Sequence, residues 1–330
     1  MKLAMLKEGK KFVRCLLKRP SALPEDVQIE VTNRCPLNCR MCPRRELKVP
    51  FKDMPLDTYR EIMKRIPSAD TVILTGWGEP LIHADFFEMV KIAKRRFPDS
   101  MVRFATSGNM LDKNAIRRII ETGVGQVSIS IDVSPQSADD GNIGHPPLTD
   151  ILDNVKELIR LRGSAARPIV CFQIVLQSEG GGAVEPLIRA GAETGIDYIN
   201  LLRLDTRITK GIARPTWAEE RRAIVTLRQL ARKEGVGFFC INDQNIFMRI
   251  ASHHDAFCLR TDNYVYIDVE GNVTPCCNVR HYVGGNILKQ ELAEIWHGKR
   301  FENFRRRQLA ICGGCDVLKN KYSDDKNRGT

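Results

Sequence analysis

Val27-Gln28-Ile29-Glu30-Val31-Thr32 leads, two residues later, into Cys35-Pro36-Leu37-Asn38-Cys39-Arg40-Met41-Cys42. A strand-like apolar run followed at once by CxxxCxxC places three thiols on one short loop. Three thiolates do not by themselves close a four-coordinate structural zinc site. They do hold three irons of a four-iron cluster and leave the fourth iron open to a ligand that is not protein. An open iron beside a bound molecule is a catalytic arrangement rather than a structural one.

Outward from this loop, apolar runs alternate with amphipathic helical patterns. Strands are expected at Val27–Thr32, Thr71–Gly76, Val102–Thr106, Gln126–Asp132, Ile169–Leu176 and Tyr198–Leu204. They are rich in Val and Ile and largely lack polar alternation, as parallel strands covered on both faces do. Between them, Tyr59, Ile62, Met63 and Ile66, then Ile151, Leu152, Val155, Leu158 and Ile159, recur at helical spacing. Gly123 stands at an expected helix C-cap. Six βα units in a row argue for a parallel α/β sheet, doubly wound or barrel. After a helix over Trp217 to Lys233 the rhythm stops. Phe238–Ile241 and Tyr264–Val269 read as short strands, Glu270-Gly271-Asn272 as a hairpin turn into Val273 and Thr274, and about Glu291 to Gln308 as a final helix. Four segments result: a basic N-terminal stretch 1–24, a βα region 25–235, a smaller region 236–318 and a polar tail 319–330.

Three further constellations carry chemistry. Thr75-Gly76-Trp77-Gly78-Glu79-Pro80 ends the second strand, where glycines let a ligand approach the backbone and strand tips form the reactive face of α/β barrels. Thr106-Ser107-Gly108-Asn109 and Ser128-Ile129-Ser130-Ile131-Asp132 end the third and fourth strands with small hydroxyl residues, as many strand-to-helix turns also do. Cys258, Cys276, Cys312 and Cys315 form C-x17-C, a long gap, then C-x2-C. Either zinc or an iron–sulfur cluster satisfies such a four-thiolate set.

The CxxxCxxC loop resembles the signature of the radical S-adenosylmethionine (radical SAM) superfamily, and Gly78-Glu79-Pro80 resembles that family's GGEP motif, with Trp77 in place of the first paired glycine. Met41 likewise stands where an aromatic residue is usual. The resemblance implies that Cys35, Cys39 and Cys42 hold a [4Fe–4S] cluster whose open iron binds SAM. It implies that Gly76, Gly78, Glu79 and Pro80 meet the SAM amino group, that Met41 meets adenine through its backbone, and that Thr106, Ser107, Gly108, Ser130 and Asp132 line the cofactor site. It selects an open, partial (β/α)6 TIM-like barrel with a small C-terminal α+β cluster-binding domain. The text from Tyr264 to Cys315 resembles SPASM and twitch auxiliary-cluster domains. Full SPASM domains carry more cysteines and a pair of extra clusters, so the shorter twitch type, with a second [4Fe–4S] cluster on Cys258, Cys276, Cys312 and Cys315, fits better. Cys277 competes with Cys276 as ligand, and Thr274-Pro275 with the spacing favours Cys276.

The implied activity is reductive cleavage of SAM to a 5′-deoxyadenosyl radical that abstracts a hydrogen atom from a substrate, with a flavodoxin- or ferredoxin-type reductant. The auxiliary cluster then accepts the remaining electron in a net oxidation, serves structure, or supports a redox-neutral outcome such as epimerisation or decarboxylation. Radical epimerases use one cysteine as hydrogen-atom donor, which makes Cys240 a candidate. Arg203 and Asp205, ending the sixth strand, are candidates for gripping substrate, a rim ion pair being the plainer reading. Peptide-modifying relatives usually carry an N-terminal recognition domain, whereas only residues 1–24 precede the first strand; a small polar molecule is favoured. An iron–sulfur electron carrier is the non-enzymatic alternative, but it has no need of the Gly76–Pro80 cradle.

Composition bounds the setting. With 43% apolar and 28% charged residues, no apolar run near the ~20 residues of a membrane span and no signal-peptide pattern, the chain is expected in the cytoplasm. Its eleven cysteines would be reduced there, which favours metal ligation for the grouped ones. The net charge of +11 is uneven. Lys2, Lys7, Lys10, Lys11, Arg14, Lys18 and Arg19 crowd the N-terminus among Leu and Met residues. That segment suits a basic amphipathic helix on an anionic membrane or, better given Gly9, a helix packed on the barrel. No recognition motif supports nucleic acid as a partner.

Overall fold

The computed structural model describes residues 13–14, 20–39, 41–46, 48–131, 147–177, 181–205, 212–240 and 258–312. Asp132, Cys315, the tail 319–330 and most of the basic segment 1–24 lie outside them. Ten strands form one sheet: β1 Asp26–Ile29, β2 Thr71–Ile73, β3 Met101–Thr106, β4 Gln126–Ile131, β5 Ile169–Leu176, β6 Tyr198–Arg203, β7 Gly237–Cys240, β8 Tyr264–Ile267, β9 Asn272–Thr274 and β10 Gly285–Asn286. Their order is β10-β9-β8-β1-β2-β3-β4-β5-β6-β7. From β1 to β7 every pairing is parallel, and β8 joins the other edge of β1, also parallel. The β8–β9 and β9–β10 pairings are antiparallel. Helices α1 Leu56–Arg65, α2 Phe86–Arg96, α3 Lys113–Thr122, α4 Leu148–Arg162, α5 Gly181–Thr194 and α6 Trp217–Lys233 fill the successive crossovers. This is a partial TIM-like barrel with a small C-terminal unit on its β1 edge.

Alternation along the strands separates two environments. Val27, Ile29, Val72, Val102, Val127, Ile129, Val170 and Phe172 face the helices and are at most 1% exposed. They share one core with Tyr59, Ile62, Phe86, Ile116, Val155, Ile188 and Leu227. Each such side chain contributes about 1.5–3 kcal/mol by leaving water. The opposite face carries Gln28, Arg103, Ser130, Gln173, Tyr198 and Asn200, all partly exposed. The sheet is therefore dry beneath its helices, and its inner face is largely polar, partly exposed at these positions and buried at Gln126, Ser128 and Cys171.

Local signals account for the element ends. Thr216 and Glu219 form a reciprocal cap at the start of α6, and Gly123 takes the left-handed conformation (φ +71°) after α3. Two strands are shorter than expected. β2 leaves the ladder after Ile73 because Thr75 Oγ1 turns to accept the Ala105 N–H at 2.7 Å. β1 ends at Ile29, and Thr32 instead bridges Asp53. Phe238 and its neighbours, read as lying past the βα rhythm, extend that rhythm as β7 beside β6. The single helix expected over Glu291–Gln308 is three: α7 Leu292–His297, α8 Lys299–Arg306 and α9 Gln308–Cys312. Gly298 is extended (φ −68°, ψ 156°) and breaks the first from the second.

The C-terminal unit is clamped from the N-terminal side. Trp296, fully buried, donates its indole N–H to the Ser21 carbonyl at 2.8 Å, under the Arg305 guanidinium 4.1 Å from its ring. Arg14, from the basic segment, forks onto buried Asp262 at 2.6–3.0 Å.

Candidate functional site

The cysteine loop leaves β1 and is pinned by a returning strand of backbone. Thr32 Oγ1 donates to Asp53 at 2.6 Å, Asn33 Oδ1 accepts the Lys52 N–H at 2.6 Å, and Asn33 Nδ2 reaches the Pro50 carbonyl at 3.1 Å. Arg44, on the short 3₁₀ turn Pro43–Glu46, closes the far side by donating to the Leu37 carbonyl at 2.6 Å. Cys35, Cys39 and Cys42 are half-buried between these anchors and none is in a disulfide. Among the described residues no three Cys, His, Asp or Glu side chains converge to metal-binding distance. The loop thus carries the three thiols on one short segment without drawing them to a point. Burial pushes the Cys35 and Cys42 thiols up, while backbone N–H groups and Arg44 favour their thiolates. Three soft donors on a fixed loop beside a cation suit an iron–sulfur cluster.

The Gly76–Pro80 loop packs on this one through bare backbone. A Cβ at Gly78 would lie 2.4 Å from the Arg34 carbonyl and 2.5 Å from that of Thr32, and one at Gly76 would lie 2.1 Å from Glu30 Cγ. The Glu79 N–H donates to the Arg34 carbonyl at 2.8 Å. Glu79 itself, 3% exposed, turns inward: its carboxylate accepts Ser107 N–H and O–H at 2.7 and 2.8 Å and the Leu81 N–H at 3.2 Å. Burial pushes its carboxyl up, against the hydrogen bonds from Ser107, Thr106 and Leu81. Glu79 and Ser107 therefore lock the β2 and β3 tips together, and the backbone is left to face a ligand. Gly108 (φ +79°) turns the β3 tip where a Cβ would meet Ile151 at 2.9 Å, and its N–H donates to Thr106 Oγ1. Pro80 is buried, Ser130 faces the barrel interior, and Met41 Sδ lies 3.7 Å from Gln177 Nε2 at the β5 tip.

Two residues without a motif complete the arrangement. Glu30, fully buried one residue past β1, accepts the Trp77 N–H at 3.0 Å and Arg280 Nη1 at 2.7 Å, both through Oε1. Its Oε2 is buried with no hydrogen-bond partner among the described residues. Arg280 also bonds the Tyr266 hydroxyl and lies 5.9 Å from the Trp77 ring. Burial, then the neighbouring Glu30 charge, push the Tyr266 phenol well above its ordinary range. Glu30 hides inside an apolar run and Arg280 in an irregular loop. A buried acid in a strand was the one available signal.

In the C-terminal unit, Cys258, Cys276 and Cys312 gather in a second small core with Val279, Phe304, Tyr282 and Ile311. Cys277 is not in that cluster; its thiol lies 3.5 Å from the Asn278 side chain. Cys240 lies in the main core, opposite Leu201 on the helix-facing side of the sheet, away from the barrel interior. Arg203 pairs with buried Glu220 of α6 at 2.6 Å, also on the helix side, so the ion-pair reading describes its placement. Asp205 accepts from Asn278 at 3.2 Å, linking the β6 tip to the Cys276 loop.

Residues 29–178 match the model of the radical SAM superfamily, and residues 258–316 match SPASM, an iron–sulfur cluster-binding domain. The chain is 24% identical over 304 residues to the tungsten-containing aldehyde ferredoxin oxidoreductase cofactor-modifying protein of Pyrococcus furiosus, across 84% of this chain and 82% of that one. It is 21% identical over 339 residues to the AdoMet-dependent heme synthase of Methanosarcina barkeri, across 90% and 89%. Streptococcus suis SuiB bound to S-adenosylmethionine shares its fold, with a TM-score of 0.69 at 14% identity over 96% of this chain and 76% of SuiB.

Proposed function

Because the chain belongs to the radical SAM superfamily and carries a SPASM iron–sulfur domain, we propose that it oxidises a small polar molecule held inside its barrel. Its cofactors are a [4Fe–4S] cluster with SAM and auxiliary iron–sulfur in the C-terminal domain. When bound, these supply one-electron cleavage of the SAM sulfonium, a 5′-deoxyadenosyl radical that takes a hydrogen atom, and an acceptor for the electron the substrate then gives up. A flavodoxin- or ferredoxin-type protein delivers the starting electron.

The chain's own part is positioning and exclusion of water. Cys35, Cys39 and Cys42 would hold the first cluster, and the Gly76–Pro80 backbone, freed by Glu79 turning inward, would receive the SAM amino group. Thr106, Ser107, Gly108 and Ser130 line the adjoining strand tips. Cys258, Cys276, Cys312 and Cys315 hold the auxiliary cluster. The observation that carries the reading is the contrast between the two faces of the sheet: helix-facing side chains are sealed, while Gln28, Ser130, Gln173 and Asn200 on the inner face are polar and partly exposed. A polar guest suits such a lining. The relatives named for heme synthesis and for cofactor modification support a guest that is not a peptide.

Anaerobic reconstitution tests this, with iron, sulfide and zinc counted per chain and 5′-deoxyadenosine measured after reduction with SAM. About eight irons and reductant-dependent 5′-deoxyadenosine are expected. About four irons with one zinc would leave no electron acceptor and move the chemistry to a redox-neutral class. No 5′-deoxyadenosine from a fully loaded protein would sink the proposal.

A further inference from the structure

We infer that the substrate carries an oxyanion, a carboxylate or phosphate, gripped inside the barrel by Arg103. The inference rests on the radical SAM reading of that interior and names the class of molecule it receives. Arg103 lies on β3, in register with Ile73 of β2 and Gln126 of β4, on the face turned away from the helices. Beside it, Gln126 Nε2 donates to the Tyr198 hydroxyl at 2.8 Å and to Ser128 Oγ at 3.2 Å, and the Cys171 thiol donates to Ser128 Oγ at 3.2 Å. These groups satisfy one another. Burial pushes the Cys171 thiol and the Tyr198 phenol up, and the Arg103 charge pulls the other way at both.

Among the described residues Arg103 makes no ion pair. Its Nε is buried without a hydrogen-bond partner among the described residues. Other partly buried arginines do meet a carboxylate: Arg280 with Glu30 at 2.7 Å, Arg203 with Glu220 at 2.6 Å and Arg162 with Asp197 at 2.5 Å, although Arg162 shares the unpartnered Nε. No Asp or Glu lies within β2 to β6. On neighbouring β1, Glu30 is already committed to Arg280 and Trp77, and Asp26 makes no ion pair with Arg103. A charge withdrawn from water is costly unless an opposite charge meets it. A guanidinium fork fits carboxylate and phosphate oxygens two at a time. An anion on the substrate would supply the charge that the described residues do not.

The test titrates anaerobically reconstituted wild-type protein with inorganic pyrophosphate and, separately, glutarate, by calorimetry. Arg103→Met and Arg103→Lys follow, with thermal unfolding as the check on folding. Saturable binding of at least one anion is expected in the wild type. It should weaken about tenfold or more in Arg103→Met and less in Arg103→Lys, which keeps the charge but loses the fork. Preference for pyrophosphate identifies a phosphate-bearing substrate, and preference for glutarate a carboxylate. Wild-type binding that is absent, or unchanged in a normally folded Arg103→Met, overturns the inference. Should Arg103→Met melt early, unchanged binding in Arg103→Lys overturns the fork-mediated grip. Cleavage of SAM by the wild type separates the two readings. Protein that cleaves SAM but binds neither anion refutes only the oxyanion. Protein that binds through Arg103 yet forms no 5′-deoxyadenosine refutes the radical chemistry.

Discussion

Arg280 reaches Glu30 at 2.7 Å across 250 residues of sequence, and the same carboxylate oxygen accepts the Trp77 N–H at 3.0 Å. One oxygen thus joins the loop that follows Cys276, the strand that delivers the first cysteines and the glycine loop after β2. Removing Arg280 leaves a fully buried carboxylate uncompensated, so Arg280→Met should cost about 3–5 kcal/mol in denaturant unfolding. Glu30→Gln should cost less, and the double variant should recover part of the loss. Additive costs would show that the pair is not coupled.

The two glycine loops should respond differently to one added methyl group. At Gly78 it meets fixed carbonyls at 2.4 and 2.5 Å, so Gly78→Ala must shift the loop facing SAM. A SAM affinity lowered about tenfold or more is expected from calorimetry. At Gly123 the methyl enters open space and the cost is its φ of +71°. Gly123→Ala should lose about 1 kcal/mol of stability and keep its SAM affinity.

Burial holds the Glu79 carboxyl above its ordinary value of 4.5 in the folded protein. The folded state therefore keeps this proton to higher pH than the unfolded chain. Its contribution is full below 4.5 and is lost as pH rises through the raised folded value. As pH rises above 4.5, wild-type stability should fall relative to Glu79→Gln, read as the gap between their urea midpoints. A gap that widens in favour of wild type with pH would reverse the sign.

Adjacent cysteines provide the sharpest test of the auxiliary site. Cys276 shares its small core with Cys258 and Cys312, and Cys277 does not. Cys276→Ala should lose about four irons per chain on reconstitution, and Cys277→Ala should keep its full complement. The reverse pattern would exchange their roles.

Much of this arrangement was legible in the chain because its causes are local. The CxxxCxxC spacing, the Thr216–Glu219 cap, Gly123 after α3 and the Val and Ile positions that face the helices each declare themselves within a few residues. Arg280 and Glu30 did not, since nothing within ten residues of either implies the other. The side of the sheet that Cys240 and Arg203 occupy was not legible either, since it depends on register with β6 and on what α6 presents, here Glu220. The final helix broke at Gly298, where a Cβ would sit 2.8 Å from the Glu294 carbonyl of the preceding turn, a local backbone constraint that helical periodicity does not carry.

The pairing of β8 with β1 also has a consequence for the order of assembly. β1 is the first strand of the sheet to leave the ribosome, yet its outer neighbour, Tyr264 to Ile267, is among the last. Until then β1 has an unpaired edge and Glu30 has no cation. Pairing so distant in sequence is slow, and exposed edges recruit other chains. A nascent chain stalled before residue 264 would therefore display its cysteine loop beside an open strand, so chaperone binding or rapid synthesis of the C-terminal unit becomes a condition for high yield.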